Sequence, residues 1–339
     1  MKKVKVEEAV GMVLAHDLTK IVPGEFKGAA FKKGHIIKPE DIDKLKDMGK
    51  NHINVMELTE NDIHEDDAAI RIGTAISGEG VYMTEPSEGK VTVKAKERGL
   101  LKINLEGLEA INDIELIIVA TLHNNTVVEK DQAVAGTRII PLTTEKEKIE
   151  RIEKICKESG KIVSVKKLKP LRAGIIVTGS EVYHGRITDK FGPVLEEKMK
   201  FYGGDVLGIK YAPDDAEMIL DAINSFLEQG ADIILTSGGM SVDADDVTPT
   251  AIRNASDKVI TYGSPVLPGA MFMVAYKGNI PILGVPACGM YHRITALDLV
   301  LPRIAAGESI SRKDITSLGH GGLCLHCEVC RYPVCPFGK

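Results

Sequence analysis

Gly174-Ile-Ile-Val-Thr-Gly-Ser-Glu181 opens, and Thr236-Ser-Gly-Gly-Met-Ser-Val-Asp-Ala-Asp-Asp-Val-Thr-Pro249 closes, one continuous pattern in this chain. Ile175, Ile176 and Val177 form a short apolar run that stops at Thr178-Gly179, and Ile233, Ile234 and Leu235 form another that stops at Gly238-Gly239. Short β-branched runs ending in glycine read as buried strands of a parallel sheet. Between them lie two helical periods, one carrying Phe191, Leu195, Met199 and Tyr202, the other Met218, Ile219, Ala222, Ile223 and Phe226. Each set recurs at spacings of three and four, the mark of one apolar helix face. Val206 to Tyr211 supplies a strand between the helices. The alternation predicts an α/β fold, a doubly wound, mostly parallel sheet. In such a sheet a ligand sits beyond the carboxyl ends of the strands, where both glycine turns fall.

Outward from this stretch the chain falls into four parts. Residues 1–66 read as a mixed α/β region, with turns expected at Phe26-Lys27-Gly28 and Phe31 to His35. A helix is expected from Pro39 to Met48, with Ile42, Leu45 and Met48 on one face and Gly49 ending it. Glu60 to Asp67 is acidic and is expected to be a solvated loop rather than a metal site, because blocks of like charge stay hydrated. Residues 67–165 are punctuated by glycines and read as a β-rich accessory domain plus a linker helix from Glu145 to Ser159, with Cys156 in its core face. Residues 166–305 are the α/β domain, closed by a helix that Pro302 should kink or shorten. Residues 306–339 form a Cys-rich tail.

Composition narrows the function. Of 339 residues 44% are hydrophobic and 27% charged, the profile of an ordinary soluble protein. A net charge of −5 and the absence of Trp argue against a nucleic-acid surface. The Met-Lys-Lys start lacks an apolar targeting segment, and no run is apolar enough to span a bilayer. A cytoplasmic protein with no membrane and no nucleic-acid partner is expected.

The chemistry gathers in the glycine turns. Backbone N–H groups at Gly238-Gly239 can converge on an anion. Thr248-Pro249 reads as a helix start with Thr248 as N-cap, and Asp243, Asp245 and Asp246 lie between turn and helix. Anion-binding amides beside carboxylates suit a phosphate with Mg²⁺, since that hard cation takes oxygen from both. Asp214 and Asp215 follow Pro213 at a helix start, one as N-cap and the other spare; Glu181 ends the first glycine turn.

These residues carry a resemblance. Thr178-Gly-Ser-Glu181, Gly185-Arg-Ile-Thr-Asp189, Pro213-Asp-Asp215, Thr236-Ser-Gly-Gly-Met-Ser241 and Asp246-Val-Thr-Pro249 resemble the molybdopterin-binding domain of the molybdenum-cofactor biosynthesis proteins. The resemblance covers residues 172 to about 305. It implies that Gly238 and Gly239 cradle the terminal phosphate of molybdopterin. It further implies that Asp246 is the central catalytic acid, that Asp214 or Asp215 is its partner, and that Glu181 and Asp246 hold Mg²⁺. Thr178, Gly179, Ser180, Asp189, Thr236, Ser237, Ser241, Thr248, Pro268, Gly269 and Pro286 are the remaining ligand-binding positions it implies.

The family's reactions are adenylylation of molybdopterin and insertion of molybdate into the adenylylated form with release of AMP. A molybdopterin molybdenumtransferase is the first expectation. An adenylyltransferase, or a carrier that delivers the cofactor to a molybdoenzyme client without chemistry, is the alternative. Molybdopterin or its adenylylated form and molybdate are the expected partners, in a homo-oligomer as in relatives. The sequence differs from the insertases in Ser180, where they carry Asp, in Pro265-Val-Leu-Pro-Gly-Ala270, which lacks their lysines, and in Gly284-Val-Pro-Ala-Cys-Gly289.

The tail holds Cys324, Cys327, Cys330 and Cys335 in a C-x2-C-x2-C-x4-C-P spacing. Four thiolates so close in an intracellular chain suggest a metal before disulfides. Zn²⁺ accepts Cys₄ or Cys₃His, with His320 or His326 at hand. One iron–sulfur cluster is the other candidate; a two-cluster ferredoxin is excluded, because no second motif exists. Poor in apolar residues, the tail is expected to need a metal for order and otherwise to remain a reduced, unstructured segment.

Overall fold

The computed structural model describes residues 2–22, 26–56, 61–241, 243 and 245–339; Glu60, which opens the acidic stretch, lies outside them. The chain divides into two compact units, one of residues 1–97, 101–122 and 128–165, the other of residues 98–100, 123–127 and 166–339.

The first unit holds two separate apolar cores. In the first core Lys2–Lys5 pairs antiparallel with His52–Val55. Helix Asp41–Asp47 buries Leu45, with Ile42 and Met48 packed beside it, as the spacing requires. Phe26-Lys27-Gly28 is not a turn. It belongs to strand Phe26–Phe31, which pairs with Leu18–Val22. The ladder with that strand holds Gly28 extended against its local preference for turns.

The second core joins helices Glu65–Ile76 and Lys146–Ser159 to a four-stranded antiparallel sheet of Val81–Met83, Lys90–Ala95, Ala133–Ile139 and Ile117–Thr121, in that spatial order. Cys156 is buried in this core, and burial pushes its thiol pKa up.

The solvated acidic loop is also overturned. Asp62–His64 is a strand and Glu65–Ile76 a helix. His64, 2% exposed, caps that helix by accepting from the Asp66 N–H at 3.2 Å. Its other ring nitrogen lies 2.6 Å from the Ala15 carbonyl. Lys33 pairs with Asp66 at 2.9 Å and reaches the His64 ring at 2.7 Å. A cation within this cluster offsets the repulsion that would otherwise keep its acids in water.

In the second unit the six-stranded sheet comprises β1 Arg172–Thr178, β2 Asp205–Ala212, β3 Ile233–Ser237, β4 Lys258–Tyr262, β5 Met273–Lys277 and β6 Ile280–Val285. Their spatial order is β2-β1-β3-β6-β5-β4. β2, β1, β3 and β6 are parallel, and β5 and β4 add an antiparallel edge. The expected doubly wound, mostly parallel sheet is therefore present.

Helices α1 Phe191–Phe201, α2 Ala216–Glu228, α3 Thr248–Ala255 and α4 Ala296–Ala305 cover both faces. Ile175 and Val177 face the core that contains Phe191, Leu195 and α4. Ile176 faces α2 and α3 through Ile219, Ile223 and Ile252. The side-chain alternation of a strand produces these two opposed cores. Met218, expected on the buried face of α2, is 41% exposed; Ile219, Ala222, Ile223 and Phe226 already fill that face.

Helix α4 continues past Pro302 to Ala305. Pro302 cannot donate to the Asp298 carbonyl, and the Tyr202 hydroxyl faces that carbonyl at 3.5 Å. Lys198 of α1 forms a buried pair with the Asp298 carboxylate at 2.7 Å, tying the two helices together.

The tail is packed rather than loose. Ile310 and Ile315 lie in the core beneath α4, and Phe337 is 3% exposed within it. Cys324, Tyr332 and Cys335 pack at its edge. The Leu267 N–H donates to the Gly322 carbonyl and the Cys324 N–H to the Leu267 carbonyl, both at 2.8 Å. A few well-placed apolar side chains and a strand-like contact thus order a segment whose composition alone argued against burial. Among the described residues no helix is long and apolar enough to cross a membrane.

Candidate ligand-binding site

Parallel strands β1, β3 and β6 end side by side, and their register aligns Val177 with Ser237 and Ser237 with Val285. The next residues of each strand are Thr178-Gly179, Gly238-Gly239 and Pro286. Three expected pocket segments therefore meet at the carboxyl ends of the parallel strands.

Gly238 and Gly239 both adopt left-handed backbone, with φ of +88° and +53°. A Cβ on Gly238 would lie 2.3 Å from the Thr178 carbonyl, and one on Gly239 would lie 2.8 Å from the Thr248 hydroxyl. Both conformation and space therefore demand glycine. Successive amides in such a turn form a concavity suited to an anion.

Thr178 is buried, and its hydroxyl donates to the Ser237 carbonyl at 2.9 Å. The same oxygen lies 3.1 Å from the Thr248 hydroxyl. Thr248 does not cap α3: Val247 holds that position, and Thr248 is fully buried in the first turn, where its hydroxyl binds another strand's end instead of a helix amide. Thr236 and Ser237 are also fully buried; their hydroxyls donate to the carbonyls of Leu283 at 3.1 Å and Ile176 at 3.5 Å. These two side chains serve the sheet, so a ligand at this point meets backbone.

Among the acids, Asp246 is half-buried and its carboxylate accepts from the Asp243 N–H at 3.0 Å. Its other oxygen lies 3.7 Å from where a Cβ on Gly239 would be, so it faces the double-glycine turn. Asp214 accepts from the Ser180 N–H at 2.9 Å, and the Asp214 N–H returns a bond to the Ser180 hydroxyl at 3.3 Å. Asp215 is the N-cap of α2, accepting from Glu217 and Met218 N–H at 2.9 Å each. Of the two adjacent acids the second thus caps, and the first fastens the turn after β1.

Glu181 is exposed, with its oxygens about 3.1 and 3.2 Å from a Cβ position on Gly179, whose φ is +136°. Asp189 accepts from the N–H groups of Phe191 at 2.7 Å and Gly192 at 3.1 Å, and so anchors the start of α1. Burial, then the Asp189 charge, pushes the Tyr211 hydroxyl pKa up. Ser241 is exposed. Pro268 and Gly269 are buried, with Gly269 at φ +128° and its Cβ position 2.7 Å from Ala296.

Tyr262 escaped notice in the sequence. Its hydroxyl donates to the Met240 carbonyl at 2.8 Å, with the Ser241 carbonyl at 3.1 Å, bracing the far side of the glycine turn. Arg253 stacks over its ring at 5.5 Å. No local signal links residues 22 positions apart on an antiparallel edge strand and a loop. Cys288 lies in the turn after β6, and burial raises its thiol pKa.

Among the described residues no three His, Cys, Asp or Glu side chains group so as to hold a metal ion. The four tail thiols are not gathered; Cys327 is exposed while Cys324 and Cys335 sit against the core. Mg²⁺ needs fewer protein ligands, since it binds through one or two carboxylates plus substrate phosphate. Asp246 beside the double-glycine turn fits that kind of donor set.

Residues 174–306 match the family model described as a probable molybdopterin binding domain, and residues 3–57 match a domain of unknown function. A CinA-like protein of Mycobacterium tuberculosis is 39% identical over 77 residues, 23% of this chain and 18% of that protein. The chain thus spans about a fifth of the length of the curated relatives it matches. Among solved structures, the molybdopterin biosynthesis enzyme MoaB of Thermus thermophilus is 23% identical, over 41% of this chain and 98% of that one, with a TM-score of 0.37. CinA of Thermoplasma acidophilum, of unknown function, is 17% identical, over 35% of this chain and 90% of that one, with a TM-score of 0.31. Over residues 174–306 the chain is thus similar to the family described as a probable molybdopterin binding domain.

Proposed function

We propose that this chain binds molybdopterin through its terminal phosphate at Gly238-Gly239 and acts in molybdenum-cofactor maturation, inserting molybdate into adenylylated molybdopterin with release of AMP. The observation that carries this reading is the double-glycine turn, closed to side chains at both positions, with the Asp246 carboxylate facing it. The turn offers amide dipoles to a phosphate and excludes anything but backbone from that contact. Mg²⁺, when bound, would offset phosphate charge, and Asp246 is the residue best placed to hold it. Asp246 would also orient the cation against the phosphoanhydride that breaks as AMP leaves.

A carrier without chemistry is the second reading, and one observation favours it. Asp215 is occupied as a helix cap and Asp214 in fastening Ser180, so neither candidate partner acid stands free beside Asp246. The Cys324, Cys327, Cys330 and Cys335 spacing supports Zn²⁺ or an iron–sulfur cluster in the tail, reached by regrouping the thiols and serving local structure or docking to a client. A purified chain given adenylylated molybdopterin, Mg²⁺ and molybdate should release AMP. Tight binding without AMP release would assign the carrier role instead; no binding of any molybdopterin form would remove both readings.

A further inference from the structure

The strands that end in the glycine turns begin at a second cleft. It measures about 870 Å³ and is lined by the residues that start β1, β3, β4 and β6, together with the segment after α4. Its volume is that of a small-molecule site. It lies at the opposite end of the parallel strands from Gly238-Gly239, so it is not an extension of the ligand site described above.

Charge distinguishes this cleft from an ordinary surface dip. Three acids and three cations line it, but they do not pair with one another. Asp232 is bound by Arg172 at 3.2 Å. Asp257 is bound by Lys277 at 2.7 Å and by the Gly278 N–H at 2.8 Å. Glu308 is bound by Arg303 at 2.9 Å and Lys166 at 3.2 Å. Arg172, Lys277, Arg303 and Lys166 all lie outside the lining, so the acids are paired with cations that do not line the cleft.

The three cations are left over. Lys169 and Lys258 have no carboxylate partner among the described residues. Arg312 donates to the buried Thr261 hydroxyl, not to an acid. Lys169 lies along Gly307, its ammonium 3.3 Å from the position a Cβ there would take, where the glycine leaves it room to reach the cleft. Ser309 and Asn279 add hydrogen-bonding groups, and Val259, Ile260 and Ile304 supply an apolar floor. Cations without carboxylate partners on a concave, partly apolar wall raise the local concentration of anions and hold them by charge-assisted hydrogen bonds.

We propose that this cleft is a second ligand site, for a small oxyanion carrying two or three negative charges, at the end of the sheet opposite the glycine turns. Phosphate and carboxylate ligands share the chemistry that Lys169, Lys258 and Arg312 recognise. A ligand here contacts the starts of the same strands whose ends form the proposed molybdopterin site.

The test is isothermal titration of the full chain, in metal-free buffer, with inorganic pyrophosphate and separately with citrate. At least one anion should bind with a dissociation constant in the micromolar to low-millimolar range, weakening as salt rises. The double variant Lys169→Ala/Lys258→Ala should weaken that binding tenfold or more with unchanged circular dichroism, because both side chains are exposed and unpaired. Gly239→Val, which blocks the proposed molybdopterin phosphate site, should leave it unchanged. Preference for pyrophosphate would name a phosphate ligand, and preference for citrate a carboxylate. The proposal is overturned if neither anion binds the wild-type chain, if the double lysine variant binds as wild type, or if Gly239→Val alone abolishes the signal.

Discussion

The hydroxyls of Thr178 and Thr248, 70 residues apart, lie 3.1 Å from each other in the buried floor of the glycine turn. This contact ties the end of β1 to the first turn of α3, and the Gly238-Gly239 amides are held between the two. Thr178→Val keeps the shape but removes the hydroxyl that also donates to Ser237. The expected cost is about 1–3 kcal/mol, the range for stranding a buried polar partner. Urea denaturation of the variant checks it, and an unchanged midpoint would show that the pair is incidental.

Gly239 meets the same threonine pair. A side chain there would sit 2.8 Å from the Thr248 hydroxyl in a backbone conformation of φ +53°. Gly239→Val should weaken molybdopterin binding tenfold or more, on the order of 1.4 kcal/mol. Titration of the ligand into folded variant decides it; retained affinity would reduce the turn to a structural feature.

Asp246→Asn is nearly isosteric and retains an oxygen able to accept the Asp243 N–H. Binding of molybdopterin should persist while AMP release falls to background. The two measurements belong on one preparation. Wild-type turnover in the variant would exclude Asp246 from the chemistry.

Phe337 tests the tail. Its ring is 3% exposed in the core with α4, and Phe337→Ala should cost about 3–5 kcal/mol. Part of the loss should appear as faster proteolysis between Gly321 and Lys339, because Phe337 is the most deeply buried apolar side chain of that segment. Equal protease resistance in variant and wild type would mean that the tail is ordered by something else, such as metal on its thiols.

Asp314 gives a pH dependence. Burial alone would raise its pKa from 3.8, but Ser311 and Arg303 outweigh burial and bring it to about 2. A carboxylate depressed on folding contributes stability that is fully present above pH 3.8 and disappears as pH falls through about 2. The contribution is on the order of 1–2 kcal/mol after solvent screening. Asp314→Asn should lower stability at neutral pH and flatten the loss between about pH 4 and pH 2. Parallel acid-unfolding slopes for the two chains would contradict this assignment.

Much of the α/β domain was legible because its signals are local. Strand alternation put Ile175 and Val177 on one face and Ile176 on the other, and the helical spacing of Phe191, Leu195 and Met199 located the face of α1. The double glycine marked the turn, since left-handed backbone favours glycine. What the sequence could not decide was allocation among equivalent groups. Asp214 and Asp215 are chemically identical; only the direction of the chain entering α2 makes the second the cap and sends the first to Ser180. Thr248-Pro249 has the form of a helix cap, yet the packing of α3 against β1 buries its hydroxyl on Thr178. His64 sits in an acidic, hydrophilic stretch, and only the approach of Lys33 and Ala15 from elsewhere in the chain makes its burial possible. Phe337 is one apolar residue in a polar tail, and its value depends on a cavity built by α4. Periodicity and backbone conformation are properties of neighbouring residues, so the sequence by itself determined the strands, most of the helix faces and the glycine turn of the α/β domain. Hydrogen-bond partners and burial depend on groups far apart in the chain, and those only the tertiary structure decided.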